Sequence, residues 1–175
     1  MATSTWRQFE ALIAALLAPM VAVVPPGEEL PAGKVNAVYS VLNADVGRLR
    51  GASKPYIAVV FENWVVTETS VAKPPSPKVL ELGRAIFHIF IYAGSGAEMG
   101  EARLLAFDLL DPVRNLVLGA RIRFDPNGGG FDNAPMWPIR RLPGQGEGFL
   151  DHDSKAGVVV CHSDFYAGGA IRQVA

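Results

Sequence analysis

A single cysteine, Cys161, stands among 175 residues. One thiol closes no internal disulfide and makes no cysteine-based zinc site, which fits a reducing compartment. Histidine is scarce, at three residues, and no H-E-x-x-H or other paired metal motif is present. No Walker-type lysine follows a glycine loop, and no G-x-S-x-G elbow presents a serine nucleophile. No cofactor is expected, and the chain does not read as an enzyme. An excess of one charge is also missing. Sixteen basic and seventeen acidic residues leave a net charge of −1, so no strong field draws nucleic acid or an anionic membrane. The most apolar run, residues 11–24, is too short to span a bilayer. Glu10 precedes it and Pro19 breaks it, so it reads as neither membrane span nor signal peptide.

What is present points to a folded domain. Half of the residues are hydrophobic and 19% are charged, an ordinary globular mixture. The length suits one domain over residues 1–175. Thr5-Trp6-Arg7-Gln8 has the form of a capping box and predicts a helix start. Trp6, Phe9, Ile13, Leu16 and Met20 then recur at helical spacing and place one apolar stripe against a core. Pro19 and PPGEELPAG end that helix in a loop. Residues 34–50 hold a candidate short strand, VNAVYSVL, and an exposed connection.

From Pro55 the composition changes. YIAVVFENWVVTET is rich in β-branched and aromatic residues and predicts a long strand. GRAIFHIFIYAG, residues 83–94, is its expected partner across the projecting loop VAKPPSPK. A second helix is expected from about Ala97 to Leu110, capped by Ser95 and Glu98 and interrupted at Asp111-Pro112. Residues 116–124 read as a strand, or as a helical turn and then a strand. Residues 125–150 are dense in Gly and Pro and predict one long irregular loop. A closing strand, residues 158–166, and a loose tail end the chain. The order predicts an α+β fold: a mostly antiparallel sheet with two helices packed on one face.

Gly94-Ser95-Gly96 with Gly100 sits between a strand and a helix, where a dinucleotide fingerprint would lie. The spacing is one residue off the common form. The Ser95–Glu98 box would occupy the amides that hold a phosphate, and Glu98 would set a carboxylate beside it. A capped turn is the better reading, with a nucleotide-binding enzyme as the alternative. Asp151-His152-Asp153 reads as a solvated turn. Cys161 and His162 are neighbours on a strand and so face opposite ways, a poor geometry for a thiolate–imidazole pair. His88 lies among apolar strand residues and reads as a satisfied, half-buried histidine.

Contact surfaces are then the economical expectation. Trp64, Phe131 and Trp137 are candidate interface aromatics, because such side chains dominate contact energy when desolvated. Arg121, Arg123, Arg140 and Arg141 are the candidate basic contacts. The succession TWRQFEALIAALLAPM, KPYIAVVFENW, GRAIFHIFIYAG, AEMGEARLLAFDLL and VVVCHSDFYAG resembles the tail terminator, or tail completion, proteins of long-tailed bacteriophages. That resemblance implies a structural virion protein, assembled in the host cytoplasm into a homo-oligomeric ring, commonly a hexamer. Such a ring caps the tail tube protein and joins it to the head-completion or neck proteins, while DNA passes through its lumen without sequence-specific binding. It implies no catalytic residues and no membrane partner. Another head–tail connector, such as a neck or stopper protein, is the near alternative.

Overall fold

In a computed structural model of the chain, the residues described are 2–71, 78–94, 99–126, 135–144, 148–149 and 159–174. Helix α1 (Ala2–Leu16) begins three residues before the predicted capping box. Ala2, Thr3 and Ser4 contain no Gly or Pro to stop it. Of the expected stripe, Phe9, Ile13 and Met20 are buried and Trp6 is half-buried, but the fully buried leucine is Leu17 and not Leu16; Leu17 and Met20 lie just beyond the helix. Burial of each such side chain contributes about 1.5–3 kcal/mol. Strand β1 (Ala37–Ser40) and the short helix α2 (Val46–Arg50) follow. Asp45 caps α2 by accepting from the Gly47 amide.

Strands β2 (Tyr56–Val71) and β3 (Lys78–Ala93) form a long antiparallel pair. Helix α3 (Met99–Val117) comes next, then β4 (Arg121–Arg123), β5 (Met136–Arg141), β6 (Gly148–Phe149) and β7 (Val159–Val174). Among the described residues the sheet has seven strands in the order β1-β2-β3-β7-β5-β4, with β6 paired to β7. Only β1 and β2, of the paired strands, run parallel. This is the α+β, mostly antiparallel arrangement that the sequence predicts. Helices α1 and α3 share one sheet face, where their buried residues merge with Phe87, Ile89, Ile91 and Phe165 in one core.

Three expectations need correction. Helix α3 runs through Pro112 to Val117 instead of stopping at residue 110. An interior proline costs about 3 kcal/mol, but Leu109, Leu110, Val113 and Val117 are all buried around it, and that packing outweighs the lost bond. The helix ends at Gly119, whose φ of 81° suits the left-handed C-terminal turn. Residues 125–150 are not one irregular loop, since β5 and β6 lie within them. Trp137 and Ile139 are buried while Met136 and Arg140 are exposed, a strand alternation hidden by Pro138. Finally, the tail after residue 166 is not loose. It continues β7 to Val174 beside β3.

The glycines in that tail have a packing role. Gly83 of β3 and Gly169 of β7 are register partners. A Cβ at Gly169 would lie 2.0 Å from Trp137 Cε2, and one at Gly83 would lie 2.5 Å from Trp64 Cζ2. Each indole therefore lies on bare backbone, and the two ring centroids are 5.4 Å apart. The expected strand ends at residue 166, before Gly168-Gly169, whereas the fold continues through them and uses the missing side chain of Gly169 as a slot.

Candidate functional site

Successive residues of a strand face opposite sides, so β3 turns Ala85, Phe87, Ile89 and Ile91 toward the helices and Ile86, His88, Phe90 and Tyr92 away from them. No described helix covers this second face. Register sets His88 opposite Asp164 and Phe90 opposite His162. The β2–β3 pairing shifts between Phe61 and Asn63, which leaves Glu62 as the extra residue of a bulge. Such a bulge re-aims side chains, and Glu62 reaches the same cluster.

The cluster spans three strands. His88 Nδ1 is 2.6 Å from Asp164 Oδ1, and His88 Nε2 is 2.9 Å from Glu62 Oε2. His162 Nδ1 lies 3.1 Å from the same Asp164 oxygen. The Asp164 side chain is only 2% exposed and that of Glu62 is 51% exposed, so the chain of contacts runs from the interior to solvent. Both imidazole nitrogens of His88 are engaged by carboxylates. Cys161 and Ser163 belong to the opposite face of β7 and supply no nucleophile here. Among the described residues no group of His, Cys, Asp and Glu is arranged to hold a metal ion. The arrangement ties β2, β3 and β7 together, and its chemistry is that of a polar cross-strand staple.

Aromatic rings flank the staple. Toward β1, Tyr56 stacks on Tyr92 at 4.6 Å and meets the Tyr39 ring edge-on. Burial, with the neighbouring Tyr92 and Tyr39 adding to it, pushes the Tyr56 hydroxyl up to about 12. Burial also raises Tyr92. In the other direction, the Arg84 guanidinium lies 4.8 Å from the Tyr166 ring centroid, a cation–π contact.

Beyond Ala167, itself buried in the core, cover falls away from β2, although Ile171 of β7 still packs against the core. Every residue of β2 from 65 to 70 is exposed, with Val65 at 39% and Val66 at 42%, and Leu82 opposite Glu68 is 37% exposed. Here β2, β3 and β7 form a three-stranded arm. Strand β1 pairs β2 only as far as Val59, and β5 pairs β7 only as far as Ala167. Among the described residues, both outer edges of the arm therefore lack a strand partner.

The candidate contacts divide. Arg121, Arg123, Arg140 and Arg141 are all exposed, on β4 and the end of β5. Trp137 is not a surface aromatic. It is 1% exposed and sits in the core against Phe9, Phe124 and Trp64. Trp64 is half-buried and also faces the core, beside Trp6. The alternation of β5 would have placed Trp137 inside, had Pro138 not masked it. Phe131 lies outside the described residues, as do residues 95–98 of the glycine turn and residues 151–153. Gly100 is exposed, and a Cβ there would meet nothing within 4 Å, so it is not the close-packing glycine of a dinucleotide fold. Sequence reading missed the staple, although His162 and Asp164, two residues apart on one strand, were its visible half. The chain matches no family model and no curated protein.

Proposed function

We propose that the protein is a structural virion subunit that assembles into a ring, the tail terminator of a long-tailed bacteriophage, capping the tail tube and joining it to the neck. The arm is the observation that carries this reading. Exposed strand edges with apolar residues invite pairing with another chain, and proteins ordinarily blunt or cover them. A three-stranded arm whose two outer edges lack a strand partner among the described residues, and whose β2 residues 65–70 are exposed, is suited to becoming an inter-subunit surface. The staple supports the same reading, because it fixes the base of the arm to the core without offering a reactive group. The near-neutral charge is compatible with DNA passing a lumen without adhering.

Incubation of the purified chain with tail tubes of its own virion, viewed by electron microscopy, tests the proposal. The expected result is a ring of added density on one end of each tube. Tube ends left bare with the chain in large excess would overturn it.

A further inference from the structure

The two flanks of the sheet carry opposite charge. Strand β2 holds two carboxylates, Glu62 and Glu68, and no lysine or arginine in its sixteen residues. Strands β4 and β5 lie at the far end of the strand order and hold Arg121, Arg123, Arg140 and Arg141 with no acidic residue. These six side chains are exposed. Among the described residues, the edges without a strand partner fall on the same two flanks: β2 beyond Val59 on the acidic side, and β7 beyond Ala167, next to β5, on the basic side.

We propose that a second copy of this chain occupies each edge, with the acidic β2 edge of one copy lying against the basic β7–β5 edge of the next. This rests on the ring reading above and names the surfaces that would build it. Pairing β2 with β2 would set glutamates against glutamates, and pairing the other edge with itself would set arginines against arginines. Only unlike edges attract. Such a contact is heterologous: every added copy leaves one acidic and one basic edge open until a rotation closes the ring. Strands β2 and β7 both run antiparallel to β3, hence parallel to each other. Copies related by rotation about an axis along the strands therefore bring β7 beside the next β2 in parallel. Exposed ion pairs are individually weak, so the charges select partner and orientation while backbone pairing holds the contact.

Sedimentation of the full chain over a range of concentrations tests this with two variants, Glu68→Arg on one flank and Arg121→Glu with Arg140→Glu on the other. The wild type is expected to assemble, more weakly as salt is added. Each variant alone should associate at least roughly tenfold more weakly. Each keeps one native edge and the two reversed edges are again unlike, so an equimolar mixture should regain assembly, with the two variants alternating. Wild-type assembly that strengthens with salt, or that both variants share unchanged, would overturn the edge pairing; a ring built through other surfaces would still cap tubes. A wild type that stays monomeric throughout would also overturn it, and the tube-end experiment then decides the ring reading separately.

Discussion

Strands β2, β3 and β7 are each sixteen residues long, yet their two halves occupy different surroundings. In one half Ile57, Val59, Phe87, Ile89, Ile91 and Phe165 are buried beneath α1 and α3. In the other, residues 65–70 of β2 are exposed throughout. Local β propensity does not distinguish the halves, since VVTETSV is as rich in β-branched residues as YIAVV. Cover does. Buried apolar area drives the folding of the first half, whereas the arm relies on backbone hydrogen bonds, each of which contributes only about 0.5–1.5 kcal/mol net. The folded monomer is thus secured at one end of the sheet, and the other end is available for contact.

The largest effect should come from closing the slot at the boundary. A side chain at Gly169 cannot coexist with Trp137, whose Cε2 lies 2.0 Å from the added Cβ position. Gly169→Val must expel the ring or move β7, and loss of a buried tryptophan costs about 3–5 kcal/mol. Thr69→Ala, on the same sheet but in the arm, should stay within about 0.5 kcal/mol. Urea denaturation of both variants measures the contrast. Equal midpoints would erase the distinction between the halves.

Glu10 gives the next largest effect. This buried carboxylate accepts from Ser40 Oγ at 2.8 Å, from the Leu42 amide at 2.6 Å and from the Phe61 amide at 2.8 Å. It closes the edge of β2 where β1 stops, a service the arm lacks. Glu10→Ala strands two amides and a hydroxyl, with an expected cost of about 3 kcal/mol. Glu10→Gln keeps an acceptor and should cost less. Amide exchange should then rise first at Phe61 and Leu42. If these amides stay protected in Glu10→Ala, the carboxylate is not what seals this edge.

The fold class was legible in the sequence because its signals are periodic. The spacing of Phe9 and Ile13 and the β-branched runs around Ile57 and Ile89 are properties of near neighbours. The helix end at residue 110, the loop at residues 125–150 and the loose tail were misread for a shared reason. Pro112, Pro138 and Gly168-Gly169 are local breakers whose penalties are overridden by distant packing: Val113 and Val117 in the core, Trp137 over Gly169. The staple was half legible. His162 and Asp164 share a strand face, but Asp164 meets His88 through a pairing of residues 76 positions apart, and Glu62 joins only through a bulge. The four arginines were correctly placed outside because arginine is rarely buried. Their gathering on one flank required the strand order.

Within the staple, His88→Ala removes two of the three contacts and leaves Asp164 buried with His162 alone. Leaving a buried carboxylate short of a partner costs about 1–3 kcal/mol. The staple joins the covered half to the arm, so this variant should raise amide exchange in residues 78–84 more than in residues 87–91. A uniform rise would mean that His88 serves overall stability and does not anchor the arm in particular.

The smallest effect is confined to alkaline conditions and to the covered half. The Tyr56 hydroxyl is raised from 10.0 to about 12 by burial and by Tyr92 and Tyr39. The fold therefore favours the neutral phenol. Its contribution is fully present below the unfolded value near 10 and is lost as pH rises toward 12. Phenolate absorbance should show one slow-rising component with a midpoint near 12, absent in Tyr56→Phe. That variant should also retain more of its stability between pH 10 and 12, because it has no proton to lose. The arm has no tyrosine in residues 62–71 or 78–84, so alkaline loosening at residues 56–59 should precede any change at residues 65–70. Loosening that begins in the arm would show that the stacked tyrosines do not hold the covered half closed.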